Sequence, residues 1–527
     1  MAIRSLRALL TDGDGGRSAD LPEARATSVR KDRIRADWYL LVTAMGLALL
    51  VGFGCARVQT TTGRVALLVA LGLPMTAAAL ASRADRFRVL GLPRVSGARD
   101  PLGRFAFACL AVGVPLSAAN ALRVTKNMTL GDPLLVFAGA ALAFRWLRAG
   151  HPRGVVPRWL PLAAGLLLAA GLLAVFRTGL GSNLGPTLQF VGVLGVMPLI
   201  ILLAVDNAQR ITLLLEGWVL VAVASCAAGI ADLVLKLGLD RSLTGASYVV
   251  GHRATGLTVH PNHLGITAAM AVPVVIALAS RSNRKMGLSG LGARHSCYAV
   301  ILIVGVLVSG SRAAVLGLGA GLVITPLLQT RRQRSPVALG LVVAVLGALA
   351  FVVLESTYAS RLGLVIGKRL SGDATATASD AVRTQAHASA LQEALAHPLV
   401  GQGFSVVRDA HDIYLQLAQA GGLLALAAFA SFAIGALAAA RRLAGDSRIP
   451  STMSNLAPAL GASLVVWLSS GAAGNELYDR YLYIPVGGLL AIRALAVRTP
   501  ARAVPAPAPS FGHSDEGTQA PAVLVGA

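Results

Sequence analysis

One polar loop of this chain carries residue types whose spacing could do chemistry. It ends in His397-Pro-Leu-Val-Gly-Gln-Gly403, then Ala410-His411-Asp412-Ile-Tyr414, then Gly421-Gly422. An imidazole can be neutral near pH 7 and so can take a proton from a hydroxyl. His411 stands at the lip of the next apolar run. The same loop holds Arg361, Lys368, Arg369, Arg383 and Arg408. Together these suggest chemistry on an anionic substrate at a membrane edge. The plain alternative is a solvated loop with an incidental histidine.

Two further blocks carry matching chemistry. Gly251-His-Arg253-Ala-Thr-Gly256-Leu-Thr-Val-His260-Pro-Asn262-His263-Leu-Gly265 opens an apolar run. Arg253 keeps its charge and offers a fork of donors that fits phosphate oxygens. Asn262 is placed to cap the helix after Pro261, and an exposed helix N-terminus favours anions. Capping plus a snorkelling arginine accounts for the same residues without function. His260 and His263 could share a helical face, but a metal site needs a third ligand that the sequence does not supply, so no metal is expected. Ser309-Gly310-Ser311-Arg312 separates two apolar runs with almost no loop. An arginine there is costly unless it meets an anion or reaches lipid headgroups. Gly317, Gly319 and Gly321 beyond it read as close helix packing.

The elements that must position these blocks are membrane helices. The chain has 527 residues, 55% hydrophobic and 13% charged, too few polar groups to cover a soluble protein of that size. Apolar runs near 20 residues recur, long enough to cross about 30 Å of hydrocarbon. The expected fold is all-α, a polytopic transmembrane bundle of about 12–14 spans. They fall near 38–54, 65–82, 105–121, 130–147, 159–176, 188–205, 213–235, 262–280, 297–309, 313–328, 336–354, 412–440, 455–472 and 481–497. The net charge of +23 comes mostly from arginine in short loops, where it orients helices. Nucleic-acid binding is a poor reading of it. Cys55, Cys109, Cys226 and Cys297 lie in or beside apolar spans without metal or disulfide spacing.

Alternate loops are arginine-rich, which puts them and both termini in the cytoplasm. The other loops face outward: 236–261, 309–312, 355–411 and 473–480. His252, Arg253, His260, His263, Arg312, Arg383, His397 and His411 all fall on that side. The chain thus divides into a tail (1–37), a first membrane part (38–354), an outer loop (355–411), a second membrane part (412–497) and a Pro-rich disordered tail (498–527). The first apolar run reads as an uncleaved signal anchor. Within the outer loop, Asp380 to Ala396 is expected to be helical. Asp380 would be its N-cap, Arg383 would lie on its first turn, and a Leu391–Leu395 stripe would face the membrane domain. Glu216 and Asp232 are the few charges placed within a span. Polar groups gather at one face of the membrane instead, which favours surface chemistry over alternating access.

In order, spacing and common sidedness, the three blocks resemble the O-antigen ligase and polymerase superfamily of polytopic bacterial glycosyltransferases. The resemblance runs over roughly residues 190–495. It rests on Arg253-Ala-Thr-Gly256 with Pro261-Asn262-His263-Leu-Gly265, on Ser309-Gly-Ser-Arg312, and on Arg383 through His397-Pro-x-x-Gly401-x-Gly403 to His411-x-x-Tyr414 and Gly421-Gly422. That family usually has Asn after the loop histidine. Here Asp412 stands there, which changes the local charge and could raise the imidazole pKa.

The resemblance implies a donor glycan on a polyprenyl diphosphate, a glycan or lipid acceptor hydroxyl, and a site on the outer face of a bacterial cytoplasmic membrane. It implies His411 as general base, with Arg253 and Arg312 on the diphosphate and Arg383 orienting diphosphate or glycan. His397, Asn262, His263, Asp412 and Tyr414 would support them. Direct displacement with inversion is implied, with no metal and no cofactor. Polymerase and ligase differ only in acceptor, which the sequence does not read. The rival from another class is a lipid-linked-glycan flippase or polysaccharide exporter, in which the same basic residues would line a cavity. A scaffolding membrane protein is the third reading.

Overall fold

The computed structural model describes residues 100–498 except 126–127, 150–155, 179, 239–252, 284–290, 331–332, 334–373, 405–409, 451–452 and 475–476. The tail 1–37, the expected spans 38–54, 65–82 and 336–354, the tail beyond Arg498, and His252, Arg361, Lys368, Arg369 and Arg408 lie outside the described residues.

Every expected span that falls on described residues coincides with a helix. In chain order these are α1 Pro101–Leu116, α2 Gly131–Ala149, α3 Trp159–Thr178, α4 Leu180–Val191, α5 Met197–Ala204, α6 Ala208–Leu235, α7 Pro261–Asn283, α8 Leu291–Val308, α9 Arg312–Leu328, α10 Ala374–Ala396, α11 Ile413–Ala444, α12 Leu456–Gly471 and α13 Ile484–Arg498. A short antiparallel hairpin, β1 Arg123–Thr125 with β2 Met128–Thr129, interrupts an otherwise all-α chain. The expected span 188–205 begins earlier, because α4 runs through one π turn at Gly192–Val196 into α5. Five helices are long and apolar enough to cross a membrane by length and composition: Leu184–Ala204, Ala208–Leu235, Pro261–Ala279, Ile413–Ala444 and Arg480–Arg498.

Local chemistry sets the helix starts. Asp100 accepts the Gly103 N–H at 2.9 Å ahead of Pro101, and Asn207 accepts that of Arg210 at 2.9 Å. Each satisfies an amide that the first helical turn leaves without an intrahelical partner. The apolar stretch of α7 is 89% buried, that of α11 only 39%. So α7 is the centre of the bundle, packed by α6, α8, α9 and α12, and α11 shows much of its surface outward. Small residues let α9 approach α12. A Cβ on Gly317 would come within 2.1 Å of Ser470 Oγ, and one on Gly321 within 2.4 Å of Val466 Cγ2. Gly319, read with them from the sequence, faces open space instead.

Polar side chains collect at the two ends. At one end lie the ion pairs Arg145–Asp100 (2.7 Å), Arg210–Asp206 (2.9 Å) and Arg448–Asp446 (2.8 Å). There too Gln333 ties the carbonyls of Ala444 and Ser454 together at 2.8 and 2.9 Å. At the other end the starts of α7, α9, α11 and α13 meet the ends of α1, α8 and α12. That second end holds every candidate residue.

Candidate active site

The segment entering α7 is fixed by its backbone. Ala254 N–H donates to the Val308 carbonyl (3.1 Å) and Leu257 N–H to Ser225 Oγ (3.0 Å). Gly256 sits at φ 57°, where a Cβ would lie 2.1 Å from the Ser225 carbonyl oxygen of α6. The Arg-Ala-Thr-Gly block is therefore a turn pressed onto its neighbours, and it delivers Arg253 to the end of α8. Arg253 Nε donates to the Ser309 carbonyl at 2.7 Å and its Nη2 to Asn262 Oδ1 at 2.7 Å. One guanidinium thus links the first two sequence blocks.

Asn262 is not the cap that the sequence suggested. Pro261 has no N–H, so the first amide to satisfy in α7 is that of Asn262 itself. His260, just before the helix, takes it on Nδ1 at 3.2 Å. That leaves the Asn262 side chain for Arg253. Burial pushes the His260 imidazole down to about 3, helped by the positive charges of His263, Arg253, Arg383 and His411. These four candidates, from two of the three sequence blocks, therefore share one electrostatic neighbourhood.

Arg312 is the first residue of α9, where Ser311 Oγ accepts the Ala314 N–H at 3.3 Å. Its guanidinium pairs with Asp380 on α10, and Arg383 Nη1 stands 3.9 Å from the same carboxylate oxygen. Helix α10 starts at Ala374, so Asp380 lies inside it and Arg383 falls two turns past the expected place. The Ala374-Thr-Ala-Thr-Ala-Ser run is helical because alanine at alternate positions outweighs the Thr and Ser preference for caps. The docked face is also reversed. Ala390 and Ala394 are buried beside Asp380, Arg383 and His387, whereas Leu391 and Leu395 are 49% and 69% exposed. Ion pairing and the Glu393–Gln419 hydrogen bond to α11 hold this face down. His387, one turn beyond Arg383, was not singled out from the sequence. Its Nε2 is buried with no hydrogen-bond partner among the described residues. The i, i+4 spacing from Arg383 was the available signal.

The glycine motifs of the loop make a backbone joint. Helix α11 breaks at Gly422 (φ 59°, ψ −152°). Into the break runs the segment after His397. Gly401 N–H donates to the His397 carbonyl (2.9 Å), Gln402 and Gly403 donate to the Gln419 and Ala420 carbonyls (both 2.8 Å), and Leu423 donates to the Pro398 carbonyl (2.8 Å). A Cβ on Gly422 would lie 2.4 Å from the Leu399 carbonyl carbon. Gly422→Ala is therefore expected to cost about 3 kcal/mol or more. Thermal unfolding in detergent checks this, with Gly319→Ala as the near-neutral control.

His411 follows this joint, half-buried at φ 53°, a backbone conformation uncommon outside glycine. Asp412 turns its carboxylate away to cap α11. Oδ1 accepts the N–H groups of Tyr414 (2.7 Å) and Leu415 (3.1 Å). Asn would cap equally well at this position. The Tyr414 hydroxyl donates to the Leu468 carbonyl of α12 at 2.8 Å. These contacts hold the turn that carries His411.

His263 lies on the first turn of α7. Its Nδ1 stands 3.0 Å from Asp479 Oδ2 and 2.7 Å from Asn120 Nδ2, and Asn120 Nδ2 also donates to Asp479 Oδ1 at 3.2 Å. Burial alone would raise the Asp479 carboxyl; the His263 imidazole, the Asn120 amide and Arg480 outweigh it and hold the group below the usual range. His260 Nδ1 thus meets a backbone amide and His263 Nδ1 meets Asp479, and the two rings stand 6.1 Å apart. Among the described residues no three His, Cys, Asp or Glu side chains converge as metal ligands.

No curated protein matches this chain. Residues 297–430 match the model of a family described as O-antigen ligase. That stretch contains Arg312, Asp380, Arg383, His397, His411 and the Gly421–Gly422 break, while Arg253, Asn262 and His263 lie before it. The match supports membership of this chain in the O-antigen ligase family.

Proposed function

We propose that this protein transfers a glycan from a polyprenyl-diphosphate donor to an acceptor hydroxyl on the outer face of the cytoplasmic membrane. The observation that carries the reading is the gathering of Arg253, Arg383, His263 and His411 around His260 at one end of a helical bundle. Arg312 joins them through Asp380, which Arg383 also approaches.

Arg253 and Arg312 hold the diphosphate and stabilise the charge that grows as the bond to the anomeric carbon breaks. Arg383 steers the donor from α10. His411 takes the proton of the acceptor hydroxyl, whose oxygen attacks the anomeric carbon. The polyprenyl diphosphate departs with the bonding electron pair. Fixed guanidinium groups can neutralise that leaving group, so the reading calls on no metal or cofactor.

Asp380 stands between Arg312 and Arg383 as a carboxylate that a diphosphate must displace. Asp380→Asn is expected to tighten pyrophosphate binding about fivefold, the effect of roughly 1 kcal/mol at a partly exposed ion pair. Isothermal titration checks this, and weaker binding would mean that Asp380 orients the arginines for the anion. The reaction itself is tested by the anomeric configuration of the first bond made from a donor of known configuration. Inversion is expected from direct displacement. Retention would require a covalent intermediate, and an intact donor moved across the bilayer would replace transfer by transport.

A further inference from the structure

Helices α10 and α11 bury polar side-chain atoms that the fold leaves unanswered. Arg383 Nε, His387 Nε2, Gln416 Oε1 and Gln419 Oε1 are all buried with no hydrogen-bond partner among the described residues. Gln416 and Gln419 are only 4% and 0% exposed. A buried polar atom without a partner is costly and uncommon. Four on one packed helix pair point to a ligand that supplies the bonds.

The two helices bring these atoms to one side of the site. Helix α10 packs on α11, and the Glu393–Gln419 hydrogen bond marks the side of α11 that meets it. Gln416 lies three residues before Gln419, a neighbour on that side. On α10, Arg383 and His387 are one turn apart and in line with Ala390 and Ala394, which the docked face buries. Gln416 N–H donates to the Asp412 carbonyl at 3.0 Å, so it sits on the first turn of α11, just beyond His411. Arg383 and His411 share the neighbourhood of His260. The two glutamines and His387 have no part in the transfer step itself.

The chemistry of the four atoms narrows the ligand. Arg383 Nε–H can only donate, and the two Oε1 atoms can only accept; His387 Nε2 does either, by tautomer. An ionised phosphate oxygen would be repelled by the amide oxygens. A hydroxyl both donates and accepts, and a saccharide presents several of them on one face. Resting on the transfer reading above, we propose that this strip is a saccharide subsite beside His411. Gln416, Gln419 and His387 bind hydroxyls of a glycan, and Arg383 Nε donates to the same sugar. The glycan belongs to the polyprenyl-diphosphate donor or to the acceptor, and the hydroxyl chemistry is common to both.

The test uses Gln416→Met and His387→Leu in the full-length protein, one variant on each helix. Methionine keeps the reach of glutamine without its amide. Exchanging an orphaned buried amide for an apolar group of similar shape should leave the melting temperature unchanged or raise it. A merely structural role would lower it. Three quantities are then measured: Kd for bare polyprenyl diphosphate, Kd for the polyprenyl-diphosphate oligosaccharide, and KM for the acceptor glycan.

The expected result is unchanged affinity for the bare diphosphate and about tenfold weaker binding of one saccharide, the loss of a hydrogen bond to it. A weakened oligosaccharide donor with normal acceptor KM assigns the strip to the donor glycan, and the converse assigns it to the acceptor. Unchanged donor affinity and acceptor KM overturn the proposal and leave the interface to water. Equal weakening of bare and glycosylated diphosphate also overturns it, because the strip would then act on phosphate. If Gln416→Met does not fold, His387→Leu carries the same expectation. A wild type that binds neither form of the diphosphate removes the transfer reading, and this proposal with it.

Discussion

His411→Ala is expected to lower glycan transfer by about 10²–10⁴-fold, the usual contribution of a positioned general base, with donor affinity and melting temperature near wild type. The stability side of this follows from geometry. The turn at His411 is held by neighbours: Asp412 caps α11, Tyr414 is tied to the Leu468 carbonyl, and the Gly401–Gly403 segment is seated in the Gly422 break. None of these contacts uses the imidazole. His411 also adopts φ 53°, so replacing it by Gly would relax the backbone while removing the base. Ala and Gly variants should therefore lose turnover alike and differ only in stability. Single-turnover rates with pre-bound donor separate the chemical step from binding. A well-folded His411→Ala protein with near-normal rate would remove the base assignment.

Arg253→Lys is expected to reduce donor turnover by about 10²–10³-fold, as loss of a charge-stabilising donor does elsewhere. A lysine cannot reach the Ser309 carbonyl and Asn262 Oδ1 at once, as the guanidinium does at 2.7 Å each. Two errors follow: the remaining cation is misplaced, and Asn262 loses its partner. A fall in stability of about 1–3 kcal/mol should accompany the kinetic loss. Arg312→Lys differs, because the Arg312–Asp380 pair is partly exposed and contributes about 0–1 kcal/mol to the fold. Its effect should appear in turnover and barely in melting. Comparing the two variants by turnover and by thermal unfolding tests this division. Equal stability losses would mean that both arginines serve the same structural joint, and normal turnover in both would end the clamp.

Much of the architecture was legible because apolar runs of membrane length leave a helix few alternatives. Arginine-rich loops also marked one end of the bundle before any contact was known. The blocks at Arg253, Arg312 and His411 were legible as motifs, though not as contacts. What sequence could not supply was main-chain hydrogen bonding and long-range pairing. The seating of residues 398–403 in the α11 break uses backbone groups, which no side-chain pattern records. Asn120 and Asp479 meet His263 from 143 residues before it and 216 after it, so neither looked like part of a site. Helix α10 was misread for a local reason. Its Leu391–Leu395 pair suggested a buried stripe, but charge pairing at Asp380 and Arg383 turned the opposite face inward. Asn262 was misread because capping was argued from residue type, without asking which amide Pro261 leaves to be satisfied.

The most direct measurement is the stoichiometry of donor cleavage. Purified protein would receive a polyprenyl-diphosphate oligosaccharide and an acceptor in EDTA, and the released polyprenyl diphosphate and new glycosidic bonds would be counted. The account predicts one polyprenyl diphosphate per bond formed, undiminished by EDTA. Bonds formed only after divalent metal is restored would contradict it, as would donor bound through Arg253 and Arg312 yet recovered intact.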